Sequence, residues 1–344
     1  MLGIEPKAVR ATWSALVTVG FFAFLYYTRR TILVFLLAVF FAYLLWPVVS
    51  RVDRFARGRI SRALSLAMVY TALIAALGGV AAAVGSRASE EAANLVARMP
   101  DLLQSAGRLS KAPAPPWLEP VRGQVLEAIQ EQVAAGLESA LPMLRAAMKQ
   151  VIGAIGNLGF AVLVPILSFF FLKDAAELRQ QALSLVNRAE EGFVEGLLDD
   201  VHRMLAQYIR ALFLLSMATF LAYLLFFQLA GVPYAALLAT IAAVLEFIPV
   251  IGPLTAGTAA CVVALVSGYG HVGSMIVFLL LYRLLQDYVL QPFLLGSGLK
   301  LHPLLIVFGA LAGEQLAGIA GMIFSVPVLA TLRIVYIRAA RAAS

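Results

Sequence analysis

Three carboxylates lie within apolar stretches of this chain, and they are its most chemically informative residues: Glu246, Asp287 and Glu314. The chain has 19 Asp and Glu residues, and the others fall in polar connecting segments. A carboxylate at the centre of a bilayer costs roughly 2.5–3.5 kcal/mol and is tolerated where it faces protein or a water-filled path. Each of the three is therefore a candidate for binding or moving an ion or a polar molecule.

Two of these carboxylates sit at breaks rich in Gly and Pro. Glu246 begins the segment 246–253, Glu-Phe-Ile-Pro-Val-Ile-Gly-Pro, and Glu314 lies in the Gly-rich segment 309–321. A carboxylate beside backbone carbonyls that a break has freed can bind Na⁺, or can take up and release a proton. A structural interpretation is also open, in which the carboxylate accepts hydrogen bonds from N–H groups at the break.

The third carboxylate belongs to a polar set at helical spacing. Arg283, Asp287 and Gln291 are each four residues apart, which places them on one face of a helix. Arg283 lies well inside an apolar segment, with Asp287 one turn away. Two interpretations remain: a structural ion pair that lets both charges enter the membrane, or the polar lining of a transport path.

Other kinds of chemistry have little support in the sequence. The single cysteine, Cys261, excludes an intrachain disulfide and a CxxC site. The histidines His202, His271 and His302 are far apart and lack metal-ligand spacing. The sequence has no nucleophile elbow, phosphate loop or zinc spacing, and no basic stretch interleaved with aromatics. We therefore expect no enzyme activity, no cofactor beyond coupling to H⁺ or Na⁺, no metal site and no nucleic-acid partner.

Composition places the chain in a lipid bilayer. Hydrophobic residues make up 62% of the 344 residues and charged residues 13%, about half the charged share of soluble proteins. Several apolar runs reach the roughly 20 residues that cross a 30 Å hydrocarbon core. We predict an all-α polytopic membrane protein with about eight transmembrane helices. The apolar segments are 12–27, 31–49, 63–84, 151–172, 211–230, 234–248, 254–267, 272–290 and 303–337. The first two form either a tight hairpin or one bent helix.

Charge placement predicts the orientation and the organisation of the chain. The loop 50–62 carries five arginines and one aspartate, so the positive-inside rule places it in the cytoplasm. The basic C-terminal tail is expected on the same side. The predicted regions are N-terminal transmembrane helices at 1–84, an extracytoplasmic helical insert at 85–150, a transmembrane helix at 151–172, cytoplasmic amphipathic helices at 173–209, and a motif-rich transmembrane transport region at 210–344.

Two amphipathic stripes recur every three or four residues outside the apolar segments. The stripe in the insert predicts a helical cap that packs on itself or on neighbouring subunits, with ligand capture as the alternative. The stripe in 173–209 predicts a helix that lies along the membrane surface or against a partner helix. The stripes comprise Val125, Ile129, Val133, Leu137, Leu141, Leu144 and Met148, and Phe193, Leu197, Val201, Met204 and Tyr208.

The C-terminal third predicts two hairpins broken by Gly and Pro. The pieces 234–248 and 254–267 span only about 21–23 Å at 1.5 Å per residue, which is short of the 30 Å core. Two short helices joined by Ile-Pro-Val-Ile-Gly-Pro are typical of a hairpin whose tip stops inside the membrane. Residues 303–337 repeat this layout around Glu314. Paired hairpins that enter from opposite sides are an expected layout for a secondary transporter.

The order of motifs in this third resembles the autoinducer-2 exporter family of bacterial permeases. The motifs are Gly-Val-Pro-Tyr (231–234), Ile-Pro-Val-Ile-Gly-Pro (248–253), Asp-Tyr-Val-Leu-Gln-Pro (287–292), Leu-His-Pro-Leu-Leu (301–305) and Gly-x-x-Gly-Met-Ile-Phe-Ser-Val-Pro (318–327). The likeness covers nearly the whole chain. The positions that match the family pattern are Pro249, Gly252, Pro253, Gln291, Pro292, Pro303, Gly318, Gly321 and Pro327.

The resemblance implies a multi-pass protein of the bacterial cytoplasmic membrane that forms homo-oligomers, expected to be pentamers. Family members are associated with export of small signals such as autoinducer-2, and others with Na⁺/H⁺ exchange. We expect a secondary transporter that exports a small polar molecule and is coupled to the proton gradient, with a Na⁺(Li⁺)/H⁺ antiporter or a non-transporting envelope scaffold as alternatives. The candidate residues of the path are Glu246, Pro249, Gly252, Pro253, Arg283, Asp287, Gln291, Pro292, Gly313, Glu314, Gly318, Gly321 and Pro327.

Overall fold

The computed structural model describes residues 6–56, 61–80, 84–109, 158–188, 190–296 and 301–343. Within these ranges the regular elements are all helices, which confirms the predicted all-α class. The predicted stripe at 125–148 and the first residues of the predicted span 151–172 lie outside the described ranges.

The described ranges contain the following helices, in chain order. They are α1 (Pro6–Ala56), α2 (Arg62–Val80), α3 (Ser86–Leu109), α4 (Leu158–Lys173), α5 (Ala175–Ser184), α6 (Glu191–Ala230), α7 (Ala235–Leu245), α8 (Ile251–Val266), α9 (Val272–Leu285), a π-helical turn (Gln286–Leu290), α10 (Gln291–Leu295) and α11 (Pro303–Ala343). The stretch that the sequence left open as a hairpin or a single helix lies within α1, which is continuous.

Several of these helices are suited to a bilayer by length and composition. Among the described residues, four helical stretches are long and apolar enough to cross it: Thr12–Phe55, Glu191–Ala230, Val272–Leu295 and Pro303–Arg341. Shorter apolar helices accompany them at Ala63–Leu73, Val162–Lys173, Ala235–Leu245 and Ile251–Leu265. The chain is therefore a multi-pass α-helical membrane protein.

Helix α6 is twice as long as a membrane crossing requires. Its 40 residues extend about 60 Å at 1.5 Å per residue, against a hydrocarbon core of about 30 Å. The apolar part, 211–230, is long enough by itself to cross that core, and the polar part, 191–210, continues the same helix. This polar part carries the second predicted stripe and packs against α5 and α11. Tyr208 of this stripe is buried in a cluster with Phe324 of α11, and the placement of the stripe relative to the membrane surface stays a prediction.

The first predicted hairpin consists of α7 and α8. Small residues line the seam between its two arms, and the cluster that they form also includes Phe227 from α6 and Met275 from α9, both fully buried. The alanines of the seam are Ala235, Ala239, Ala242, Ala256, Ala260 and Ala264. Small side chains let helices approach closely without water between them, so this hairpin packs as one unit against α6 and α9.

The second predicted hairpin lies within α11. Its helical path is interrupted at Ala317 (φ −146°, ψ 17°) and Gly318 (φ 62°, ψ −144°). The two arms then touch: a Cβ added at Gly313 would overlap the backbone of Gly321, and a Cβ at Gly321 would overlap that of Gly313. The glycines at these positions allow backbone-to-backbone contact across the hairpin.

Candidate functional site

Glu246 lies where the first arm of the α7–α8 hairpin ends. It follows Leu245, the last residue of α7, and its side chain is buried, with 7% of its surface exposed. The helix stops here for a local reason: Pro249 has no N–H to donate, and Ile248 before it is disfavoured in the helical region. The break therefore places the Glu246 carboxylate at the C-terminal end of the short helix α7.

The tip of the hairpin is a tight and strained turn. The N–H of Ile251 donates to the carbonyl oxygen of Pro249 at 2.7 Å, which closes a γ-turn around Val250. Val250 has φ 66° and ψ −55°, the rarer form of the γ-turn, which a β-branched residue seldom adopts. At Gly252 a Cβ would overlap the carbonyl oxygen of Leu245. Only glycine fits where the two arms approach so closely.

Two side chains donate to the Glu246 carboxylate and a third contacts one of them; they come from α6, α9 and the π-helical turn that follows α9. The hydroxyl of Thr219 on α6 donates to Glu246 Oε2 at 3.0 Å, and Nε2 of Gln286 donates to Glu246 Oε1. The Tyr282 hydroxyl lies 3.0 Å from Thr219 Oγ1. Because the single Thr219 proton points at the carboxylate, Tyr282 is the donor in that pair. Glu246 thus ends a chain of hydrogen bonds that joins the hairpin to α6 and α9.

A cavity of about 570 Å³ opens beside this cluster. Its volume falls within the range of about 300–1,000 Å³ that is usual for small-molecule sites. The charged side chains in its lining are Glu246 and Arg283, and Pro253 from the start of α8 lies in the wall. The remaining polar and aromatic lining includes Thr219, Tyr223, Thr258, Tyr282 and Gln286. A mostly apolar wall with a few convergent polar groups can hold and orient a small polar ligand.

The predicted polar face of Arg283, Asp287 and Gln291 is present. Arg283 Nε lies 2.9 Å from Asp287 Oδ2, and Gln291 Nε2 donates to Asp287 Oδ1 at 2.9 Å. Arg283 also lines the cavity. The same arginine therefore forms the ion pair with Asp287 and contributes to the polar lining of the cavity.

The π-helical turn Gln286–Leu290 contains Asp287 and lies between Arg283 and Gln291. The N–H of Gln291 donates to the carbonyl of Gln286, five residues earlier, and Pro292 follows without an N–H of its own. Single π-turns inside α-helices occur frequently at functional sites. Here the turn begins at Gln286, the residue that binds the Glu246 carboxylate and has 1% of its surface exposed.

The candidates in the second hairpin lie elsewhere. Gly313 and Gly321 form the contact between its arms, Gly318 forms its kink, and Glu314 is exposed. Pro327 lies in the second arm, where its carbonyl accepts a hydrogen bond from Thr331. Within the described part of the chain, residues of this hairpin are not among those that line the cavity beside Glu246.

Sequence reasoning missed three residues of the site: Thr219, Tyr282 and Gln286. Each is a polar side chain inside an apolar segment, and such residues usually face the interior of a bundle. Tyr282 and Gln286 are also four residues apart, which places them on one helix face. The signal was therefore present, but nothing in the sequence linked it to Glu246.

Comparisons with known proteins show which family the chain resembles and which relatives it matches. The sequence profile of the family described as "AI-2E family transporter" matches residues 16–341. The chain is 25% identical over 320 residues to "Putative transport protein YueF" of Bacillus subtilis, which covers 90% of this chain and 86% of that protein. It is 24% identical over 339 residues to "Putative permease PerM" of Escherichia coli K12, covering 95% and 92%. It is 25% identical over 314 residues to "AI-2 transport protein TqsA" of the same organism, covering 90% and 86%.

Proposed function

Because the chain belongs to the AI-2E family of transporters, we propose that it is a secondary transporter that exports a small polar molecule and is coupled to the proton gradient. The similarity to TqsA, named an AI-2 transport protein, supports a substrate of that kind, a small polar signal or metabolite. In this proposal the protein lies in the bacterial cytoplasmic membrane with its C-terminus in the cytoplasm, and it acts as a homo-oligomer, a pentamer.

One observation carries the proposal: Glu246 is a buried carboxylate in the wall of a cavity of about 570 Å³, at the broken tip of a hairpin. A polar substrate in this cavity would lie against Glu246 and Arg283. An intramembrane carboxylate that faces such a cavity can exchange a proton with it. Substrate and proton would then meet at the same place, as coupled transport requires.

The hydrogen bonds suggest how protonation would be coupled to movement. An ionised Glu246 accepts from Thr219 and Gln286, which holds the hairpin tip against α6 and α9. A protonated Glu246 would carry its own donor and would bind these partners less strongly. The α7–α8 hairpin packs as one unit, so its release would move the tip as a whole. Alternating access would result from movement of this hairpin, together with the second hairpin, against the remaining helices.

Transport assays in proteoliposomes test the proposal. Purified wild type and the Glu246→Gln variant would be compared with labelled small polar metabolites under an imposed pH gradient. We expect Glu246→Gln to reduce gradient-driven flux and to remove its pH dependence, while energy-independent exchange persists. Glu177→Gln, the same substitution at an exposed residue of α5, is the matched control. Unchanged flux and an unchanged pH profile in Glu246→Gln would contradict proton coupling at this residue.

A second function, Na⁺(Li⁺)/H⁺ exchange, is favoured by the oxygen atoms at the site. Glu246 Oε2, Thr219 Oγ1 and the Tyr282 hydroxyl follow one another at 3.0 Å each, and hard cations prefer oxygen ligands. The same proteoliposomes, tested with Na⁺ and Li⁺, separate the two functions. An exchanger would move Na⁺ or Li⁺ in the direction opposite to H⁺ when a pH gradient is imposed, without any metabolite. Thr219→Val would raise the Na⁺ concentration needed for half-maximal exchange.

A non-transporting scaffold of the envelope is the alternative from another class. It predicts that Glu246→Gln and Glu314→Gln change thermal stability and leave every measured flux at the level of empty liposomes. Absence of flux for wild type across Na⁺, Li⁺ and the metabolite panel would favour this alternative.

A further inference from the structure

A second cavity, of about 560 Å³, lies between the polar part of α6 and the C-terminal end of α11. It is distant from the cavity beside Glu246: Arg203 in its wall and Thr219 at the other site are 16 residues apart on α6, about 24 Å along the axis. The function proposed above does not use it. Its lining is basic, with Arg203, Arg338 and Arg341 against the one carboxylate of Asp200.

Asp200 holds two of these arginines in place. Its Oδ1 accepts from Arg203 Nη2 at 2.6 Å, and its Oδ2 accepts from Arg338 Nε at 2.6 Å. A guanidinium has five N–H donors, and these contacts use a minority of them. The two side chains are therefore oriented before any ligand arrives, which lowers the entropy lost when they bind one. Arg203 is 74% exposed, so its guanidinium is accessible from outside.

The rest of the lining suits a ligand with an apolar part. Phe193, Met204, Ile334 and Ile337 contribute apolar surface to the same cavity. The cavity also lies just beyond the apolar part of α6, at 211–230, so it is close to the level where lipid headgroups meet the hydrocarbon core. Basic pockets between transmembrane helices at this level are suited to anionic headgroups.

We propose that this cavity binds a phosphate-bearing anion, with the phosphate against Arg203, Arg338 and Arg341 and the adjoining carbon chain against the apolar wall. Planar guanidinium groups match phosphate oxygens in pairs of hydrogen bonds. Two sources share this chemistry: the headgroup of an anionic phospholipid and a soluble phosphate ester. Either ligand would tie α6 to the end of α11.

Ligand-dependent thermal stability tests the proposal. Delipidated full-length protein in detergent would be titrated with phosphatidylglycerol, phosphatidylcholine and glycerol 3-phosphate, and native mass spectrometry would count retained lipids. We expect phosphatidylglycerol to raise the Tm more than phosphatidylcholine, which carries a compensating positive charge. In the double variant Arg203→Gln/Arg341→Gln the apparent affinity should fall roughly tenfold or more. Arg188→Gln, which removes a positive charge at an exposed arginine in the connection before α6, is the control outside the cavity.

The comparison with glycerol 3-phosphate identifies the source of the phosphate. A rise in Tm with phosphatidylglycerol alone assigns the cavity to a lipid headgroup, and an equal rise with glycerol 3-phosphate assigns it to a soluble ester. Each variant is referred to its own Tm without ligand, so a less stable variant remains informative. The proposal is overturned if phosphatidylcholine acts as strongly as the anions, if neither anion acts on wild type, or if the double variant responds as Arg188→Gln does.

Discussion

Glu91 on α3 accepts a hydrogen bond at 2.8 Å from the backbone N–H of Leu237, 146 residues further along the chain. Leu237 lies in the first turn of α7, where backbone N–H groups have no partner within their own helix. Ala88, Leu95 and Leu237 are buried together around this contact. The predicted insert therefore packs, through α3, on the first arm of the hairpin that carries Glu246.

Replacing Glu91 with alanine should loosen the start of α7. The carboxylate satisfies an N–H group at the positive end of the helix, and loss of such a cap costs about 0.5–2 kcal/mol. Hydrogen–deuterium exchange should become faster at the amide of Leu237 and its neighbours. Glu90→Ala, an exposed neighbour on the same helix, should leave that exchange unchanged. Equal protection in both variants would show that the hydrogen bond does not hold the helix.

Replacing Gly252 with alanine should destabilise the first hairpin. The added Cβ would overlap the carbonyl oxygen of Leu245, and relief of such a clash by shifting the backbone costs about 1–3 kcal/mol. Gly257→Ala in the same helix is the matched comparison, because its Cβ would meet only Leu279 Cδ1, at 4.0 Å. The Tm in detergent should fall in the first variant and stay near wild type in the second. Equal Tm values would contradict the close approach of the two arms.

Replacing Gly318 with alanine tests backbone strain without a clash. A Cβ at Gly318 meets nothing within 4 Å, but the residue has φ 62° and ψ −144°, a conformation that costs other residues about 1–3 kcal/mol. We expect a lower Tm and a straighter α11, measurable as a longer distance between spin labels on its two arms. Gly273→Ala on α9, also without a neighbour within 4 Å, should change neither quantity. Unchanged label distances in Gly318→Ala would argue against the kink.

Replacing Thr219 with valine removes a hydroxyl and preserves the shape of the side chain. Glu246 then loses a donor and Tyr282 an acceptor, and a buried polar group without a partner costs about 1–3 kcal/mol. The variant should unfold at a lower temperature. Thr240→Val is the control, because Thr240 bonds only locally, to the carbonyl of Ala236 at 2.7 Å. Similar Tm values for the two variants would remove Thr219 from the network.

Acid should weaken the junction between α6 and α11. Hydrogen bonds from Arg203 and Arg338 lower the pKa of the Asp200 carboxyl, which lies in the polar part of α6, outside the apolar segment 211–230. Because the pKa of Asp200 is lower in the folded state than in the unfolded state, its ion pairs stabilise the fold fully when the pH is above the unfolded-state pKa of about 3.9. This stabilisation is lost as the pH falls through the lower, folded-state pKa. The Tm of wild type should therefore fall as the pH drops below about 4. Asp200→Asn should lower the Tm at pH 7 and flatten the acid slope, and Asp53→Asn on α1 should leave the slope as in wild type.

The sequence by itself determined the helical membrane class, the family and the positions of both breaks. These are local properties: apolar runs set the spans, Pro249 removes a donor from the helix, and Gly318 adopts a backbone conformation that other residues avoid. The contact between Arg283 and Asp287 is local as well, since four residues make one turn. Each could be predicted because the physical cause lies within a few residues of its effect.

Only the tertiary structure decided what surrounds Glu246 and how the helices meet. Thr219 and Gln286 are 27 and 40 residues away in sequence, and whether they reach the carboxylate depends on how α6 and α9 pack against the hairpin. The same holds for Glu91 against Leu237 and for Asp200 against Arg338, which join α6 and α11. Hydropathy indicates that a segment is buried, but it does not indicate which face of a helix packs against which neighbouring helix. That packing depends on side-chain shapes contributed by distant parts of the chain.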